Sequence, residues 1–304
     1  MTTPGLTLFY IVEPPDYQMM ACLLLASIRR HFPAGTRAIG YCPAHRMADL
    51  HPAVRRAHDM LGADIRPMDV QAMWDSPYPH GNKIIASLQP RETEFSAFVD
   101  SDVLFLADNR AENLARPGHV SCSAAASMVW TGQEIWDRIY AHFGMDIPQE
   151  RIRLMRRRHR VVPYFSAGLV VFPEQPGPGG RFPELWHDTA RRIDRLAGLP
   201  GRRPYLDQLS LPLAIRRAGF DWNILPEEQH YILGGRLRGQ PLPEDRPIFT
   251  IHYRNHKVLK EIGFGQRVRK LLKSAYGVRR VERLAKAETA PALVPALVPG
   301  MARA

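Results

Sequence analysis

Three things are scarce in this sequence. Cysteine is the first: Cys22, Cys42 and Cys122 are the only three among 304 residues, with no Cys-x-x-Cys pair. An odd, unpaired set excludes a disulfide framework and a thiolate zinc site, and it fits a reducing compartment. Long apolar runs are the second. The stretch from Met19 to Ala26 falls well short of the ~20 residues a membrane span requires, and no basic segment precedes it as in a signal peptide. Acidic charge is the third, with 30 Asp and Glu against 41 Lys and Arg, a formal net charge of +11. The expectation is a cytoplasmic protein, able to touch the inner face of a membrane peripherally without crossing it.

What is present is enough to bury a full core. With 45% hydrophobic and 23% charged residues, the chain is not a disordered polypeptide and has material for one large or two ordinary domains. The positive excess admits nucleic acid, anionic lipid or phosphorylated compounds as partners. Its placement narrows the choice. One cluster comprises Arg151, Arg153, Arg156, Arg157, Arg158 and Arg160 around His159, and another runs from Arg254 to Lys286. Aromatic residues do not interleave these runs as stacking platforms would, and no RNA-binding or zinc-finger pattern accompanies them, so nucleic acid is not expected. The Arg cluster reads as a solvated helix face or as a contact for a phosphorylated acceptor.

Along the chain, strand and helix patterns alternate. Leu6 to Val12 is a short apolar run stopped by Pro14 and Pro15, and Gln18 to His31 has helical spacing with Arg29, Arg30 and His31 in its last turn. Strand candidates follow at Arg37 to Cys42 and Asp64 to Met68, with a helix between them around Met47 to Leu61. Further helices are expected at Asn82 to Leu88, Phe182 to Leu196 and Asp207 to Ala218, and further strands at Phe95 to Val99, Ala167 to Phe172 and Ile248 to His252. This alternation predicts an α/β fold with a mixed, mostly parallel sheet flanked by helices. We place the main domain at residues 1–265. A basic amphipathic helix is expected over 266–288, and the Pro/Ala-rich residues 289–304 read as a disordered tail. That helix either lies on an anionic membrane surface or packs on its own domain.

The stretch Phe98-Val99-Asp100-Ser101-Asp102 carries the most chemistry. It sets two carboxylates at the C-terminal end of a buried strand, where ligands collect in open α/β sheets. On an extended chain, alternate residues point the same way, so Asp100 and Asp102 can face one cation. Two hard oxygen ligands beside a phosphate suit Mg²⁺ or Mn²⁺. The plain alternative is an ordinary turn after a strand, since Asp and Ser are common turn residues.

With these residues in view, the chain resembles the GT-A nucleotide-sugar glycosyltransferases, and among them family 8, whose members include retaining galactosyl- and glucosyltransferases. Four further segments recur in that family's order. Lys83 lies 17 residues ahead of Asp100, Tyr164-Phe165-Ser166-Ala167-Gly168 stands where the family has an aromatic-Asn-Ala-Gly segment, Leu206-Asp207-Gln208 resembles its Asp-Gln pair, and His252 closes the set near the end of the domain.

The resemblance implies roles for these positions. Asp100, Asp102 and His252 would ligate the metal, and Lys83 and Lys257 would meet the donor phosphates. Ser101, Ser166 and Gly168 would line the donor site. Asp207 and Gln208 would stand beside the donor sugar as the catalytic pair, and Tyr10, Val12 and Asp16 would form a uridine-binding edge. Ser166 in place of Asn, Leu209 in place of a second Asp, and a His252-to-Lys257 segment without the family's glycine and Pro-Trp ending mark a divergent branch.

The implied activity is transfer of a sugar from a nucleotide-sugar, expected to be UDP-linked, to a glycan, lipid-linked or other hydroxyl acceptor, with Mn²⁺ or Mg²⁺. Two other classes compete. A haloacid-dehalogenase-type phosphohydrolase also ends a strand in Asp-x-Asp, but that pattern sits near the N-terminus and needs a downstream acidic pair. A non-enzymatic basic protein binding RNA or membrane would rest on the Arg cluster and the C-terminal helix. For single residues the bland readings are a helix cap for Asp207, exposed lysines at 83 and 257, and a backbone-satisfied histidine at 252.

Overall fold

The structure, a computed structural model, describes residues 5–128, 134–156, 160–203, 205–233, 240–254 and 256–276. The chain runs β1 (Leu6–Ile11), α1 (Tyr17–His31), β2 (Arg37–Pro43), α2 (Pro52–Met60), β3 (Asp64–Met68), α3 (Asn82–Leu88), β4 (Phe95–Val99) and β5 (Val103–Phe105). It continues through α4 (Ala111–Leu114), β6 (His119–Ala124), α5 (Glu134–His142), β7 (Ile152–Arg153), β8 (Arg160–Val161), β9 (Phe165–Pro173), α6 (Phe182–Arg195) and α7 (Leu206–Arg217). The last elements are β10 (Asp221–Leu225), β11 (Tyr231–Ile232), β12 (Thr250–His252), α8 (His256–Glu261) and α9 (Gly265–Tyr276). These elements divide into two compact units, each assembled from separate stretches of chain.

The first unit comprises residues 6–70, 99–113 and those from 228 onward. Its β1, β2 and β3 lie side by side in parallel, with Thr7 opposite Arg37 and Ile39 opposite Asp64. All six residues of β1 are buried. Gly40 on β2 makes this possible, because a Cβ there would collide with Val12 and press on the Tyr10 ring. Helix α1 is buried from Gln18 to Ile28. Its end is held by Arg29, whose guanidinium donates to the carbonyls of Thr36, Leu61 and Gly62. A second, three-stranded sheet has the order β11-β12-β5, with β12 parallel to β11 and antiparallel to β5. Helix α9 packs on α1 with Val268 fully buried, and Arg267 donates to the Leu106 carbonyl.

The second unit comprises residue 5 and residues 71–98 and 114–227. Its strands run β10-β6-β9-β4, with β10 and β6 parallel and β6 and β9 antiparallel. All nine residues of β9 are buried. Helices α6 and α7 pack on each other, and α7 is buried over most of its length, which is why its apolar residues show no single face. The end of α3 is closed by Arg91, which donates to the Ala86 and Ser87 carbonyls and pairs with half-buried Glu174 at 3.0 Å. Arg181 holds the other Glu174 oxygen at 2.8 Å. Gly177 and Gly179 lie against the carbonyls of Ala218 and Arg217, where any side chain would collide.

Several expectations change against this frame. The helix expected over Met47 to Leu61 is two pieces, a 3-10 turn at Ala44–Asp49 and α2, because Pro52 can only start a helix and His51 caps it by accepting from the Ala53 N–H. The Arg151 to Arg160 cluster is no helix face. Arg153 and Arg160 face each other across the antiparallel pair β7 and β8, Arg156 pairs with Glu227, and Arg157, Arg158 and His159 lie outside the described residues. The basic helix expected over 266–288 begins at Gly265, and its described part ends at Tyr276. Residues 277–288 and the tail 289–304 lie outside the described residues.

Candidate active site

The chain leaves β4 at Val99 and turns at once. The Val103 N–H donates to the Asp100 carbonyl at 3.0 Å, so Asp100, Ser101 and Asp102 form a tight turn into β5. The tripeptide is thus a turn, and the turn presents two carboxylates together. The turn, rather than side-chain alternation along an extended strand, brings them to one place. The Ser101 hydroxyl donates to the Ile11 carbonyl at the end of β1 and is spent on fixing the turn.

Strand β12 brings the third group. Its antiparallel register with β5 sets His252 opposite Val103, and the Tyr253 N–H donates to the Asp102 carbonyl at 2.9 Å. His252 Nε2 lies 3.1 Å from Asp102 Oδ1 and 3.9 Å from Asp100 Oδ2. One ligand atom from each of the three residues falls within 4.8 Å of the others. Burial disfavours the charged imidazolium, but Asp102, by its charge and hydrogen bond, and then Asp100 outweigh it, and the His252 pKa is raised above its usual value. Positive charge on Nε2 is thus drawn between two carboxylates. A divalent cation replacing that proton meets two hard oxygens and one imidazole nitrogen, a donor set that fits Mn²⁺ or Mg²⁺.

One residue that sequence reasoning missed stands behind His252. His230 is fully buried, and its Nε2 lies 3.1 Å from His252 Nδ1, with the two rings in an edge-to-face arrangement at 75°. The signal is absent from the sequence because β11, which sets this contact, is only two residues long.

The second unit carries another cluster. Asp207, in the first turn of α7, makes no helix cap. Its carboxylate lies 3.2 Å from Lys83 Nζ, and Tyr78 donates its hydroxyl to Oδ1 at 3.2 Å. Lys83 also donates to the Ala167 carbonyl at 3.2 Å and sits over the Phe98 ring. Lys83 is therefore neither an exposed lysine nor a separate point charge: it and Asp207 are ion partners, with side chains only 11% and 5% exposed. Tyr78, 129 residues from Asp207 in sequence, is the second residue missed. Burial and then the Asp207 charge push its phenol far up, so it stays a donor. Gln208 follows on α7, half-buried. Ser166 lies in β9, its Oγ accepting from the Gly168 N–H at 3.3 Å.

The remaining expected residues divide. Tyr10 and Val12 are completely buried, the Tyr10 ring against His58, so their side chains belong to the core. Asp16 is exposed at the start of α1, and Lys257 is exposed on α8.

A parallel-rich α/β architecture with two acids in the turn after a buried strand and a histidine from a late strand defines the class: this is the GT-A fold of glycosyltransferases. Among solved structures, that of the galactosyltransferase LgtC in complex with donor and acceptor sugar analogs superposes with a TM-score of 0.58 at 14% identity, covering 88% of this chain and 95% of that one. The model of the Rhodobacterales glycosyltransferase domain matches residues 8–219, and the chain belongs to that family. No curated protein sequence matches the chain. Family membership sets the chain among glycosyltransferases rather than phosphohydrolases or non-enzymatic binders.

Proposed function

We propose that the chain is a metal-dependent enzyme that transfers a hexosyl group from a UDP-linked sugar to a hydroxyl of a glycan or lipid-linked acceptor. The observation that carries this is the convergence of Asp100, Asp102 and His252 on one point. Bound there, Mn²⁺ or Mg²⁺ would offset the negative charge that grows on the departing pyrophosphate. Asp100 and Asp102 keep that point anionic, and His252 Nε2 adds the third ligand. Lys257, exposed at the start of α8, supplies a further positive charge for a phosphate.

Asp207 accepts hydrogen bonds from donor-sugar hydroxyls, held in place by Lys83 and Tyr78, while Gln208 lies beside the anomeric carbon. Ser166 and Gly168 line the sugar site, Asp16 and the end of β1 lie at the uridine, and the transferase domain comprises residues 1–265. The test is a panel of UDP-sugars with Mn²⁺. Release of UDP from one of them, abolished by chelator and by Asp102→Ala in a folded protein, is the expected result. No turnover of any donor with any divalent ion would overturn the assignment.

The basic side of α9 suggests where the acceptor is met. Arg269, Lys270 and Lys273 are exposed while Val268 is buried on α1, and such a row is attracted to anionic lipid. Among the described residues no helix is long and apolar enough to cross a membrane. Glutamate at all three positions is expected to weaken binding to anionic vesicles, and unchanged binding would contradict the surface contact.

A further inference from the structure

We propose that His230 is a positioning residue for the metal site: its Nε2 accepts a hydrogen bond from His252 Nδ1–H and thereby aims the His252 Nε2 lone pair at the cation. The inference rests on the metal-dependent reading above and assigns a role to a residue outside the ligand set. Its starting point is geometry. The two ring nitrogens are 3.1 Å apart, within hydrogen-bond reach, and the His230 ring is fully buried. One nitrogen must donate and the other accept. If His252 is to ligate through Nε2, the atom that faces Asp102 and Asp100, then Nε2 carries no proton and Nδ1 does. His230 Nε2 is then the acceptor. Ligating histidines regularly place their second ring nitrogen against such a partner, which holds the ring and raises its basicity.

The backbone is arranged to keep this pair in register. Strand β11 runs parallel to β12 directly after His230, with Ile232 opposite His252, and the Leu233 N–H donates to the His252 carbonyl at 2.9 Å. On the other side of His230, the Phe249 N–H donates to the Glu228 carbonyl at 2.9 Å. Buried Gln229 accepts from the Asn109 amide at 2.8 Å, and the Asn109 N–H donates to the His31 carbonyl at 2.7 Å. His230 is thus held between two anchored neighbours, and a ring so placed has little freedom to turn from His252.

The test measures Mn²⁺ affinity of the full-length protein with UDP present, by calorimetry and by the EPR signal of free Mn²⁺, alongside thermal melting. His230→Leu removes the acceptor and is expected to weaken Mn²⁺ binding about ten- to a hundredfold. His230→Gln can place its Oε1 near the position of Nε2 and is expected to stay within about threefold of the natural protein. His230→Asn, whose oxygen falls short, is expected to bind as weakly as the leucine variant. Equal Mn²⁺ affinity of the Gln and Asn variants overturns the proposal even if the leucine variant fails to fold, and a role limited to filling space would instead leave the leucine variant, close to histidine in volume, binding like the natural protein. Equal affinity of His230→Leu and the natural protein, with binding lost in Asp102→Ala, would overturn the positioning role alone. Absence of Mn²⁺ binding in the natural protein would overturn the metal reading together with it.

Discussion

Asp207 and Asp102 are both carboxylates at the edge of a regular element, and both are largely shielded from water, yet their charges are answered differently. Asp207 has a lysine at 3.2 Å and a tyrosine hydroxyl on Oδ1, so the Lys83–Asp207 pair sums to zero. Asp102 shares its turn with a second acid and faces a histidine whose raised pKa records the surplus of negative charge. Around His252, burial and the charge of Arg254 oppose the imidazolium, and the two carboxylates prevail. The contrast teaches how one chain makes two kinds of polar site. A neutralised pair is stable and pre-shaped, suited to orienting uncharged hydroxyls. A site where two carboxylates outweigh the burial of a histidine is suited to recruiting a cation.

Substitution should separate the two sites. Asp102→Ala is expected to lower turnover of a UDP-sugar at least a thousandfold, about 4 kcal/mol of transition-state stabilisation. The melting temperature should shift little, because the like-charged neighbour Asp100 is relieved as His252 loses its partner. Kinetics and a melt on the same preparation check this, and a large loss of stability would make the turn a structural device instead. Asp207→Leu should do the reverse. It strands a shielded ammonium and is expected to cost about 3 kcal/mol of stability, at the low end for a broken buried pair because Lys83 keeps the Ala167 carbonyl. Adding Lys83→Met should recover most of that stability without recovering activity. Denaturant unfolding of the single and double variants distinguishes the cases.

A smaller effect, of opposite sign in the two states of the metal site, comes from pH. In the metal-free protein the His252 pKa is raised, so its pairing with Asp102 contributes stability that is fully present below pH 6.5 and is lost as pH rises through the raised value. Mn²⁺ needs the unprotonated ring, so its affinity should rise over that same interval. Melts of metal-free protein and Mn²⁺ titrations across this interval should show slopes of opposite sign, each limited to one proton. Asp102→Asn should flatten both.

How far these sites could be read from the chain depended on how local their causes are. Phe95 to Val99 followed by Asp100 is legible because an apolar run and the acids that end it are contiguous. The ends of α1 and α3 are legible because periodicity and a following proline or basic turn mark them. Strand β6 alternates Val120 and Cys122 with Ser121 and Ser123, yet all four are buried, and with one β-branched residue and no aromatic it escapes such reading. So do β5 and β11, which exist only through the partners they pair with. Family resemblance singled out His252 and Asp207, and the structure shows what their side chains touch. Tyr78 and His230 reach their partners across 129 and 22 residues, through folding alone. Tyr10 and Val12, whose place in the chain suggested a ligand edge, are fully buried, and Gly40 opposite Tyr10 leaves room for both side chains.

Calorimetric titration of UDP into the metal-free protein, repeated with Mn²⁺ and with a chelator, tests the central claim most directly. If Asp100, Asp102 and His252 hold a cation that bridges to a nucleoside diphosphate, binding is saturable with Mn²⁺ and at least tenfold weaker without it. Equal affinity in the presence and absence of the metal would contradict that claim.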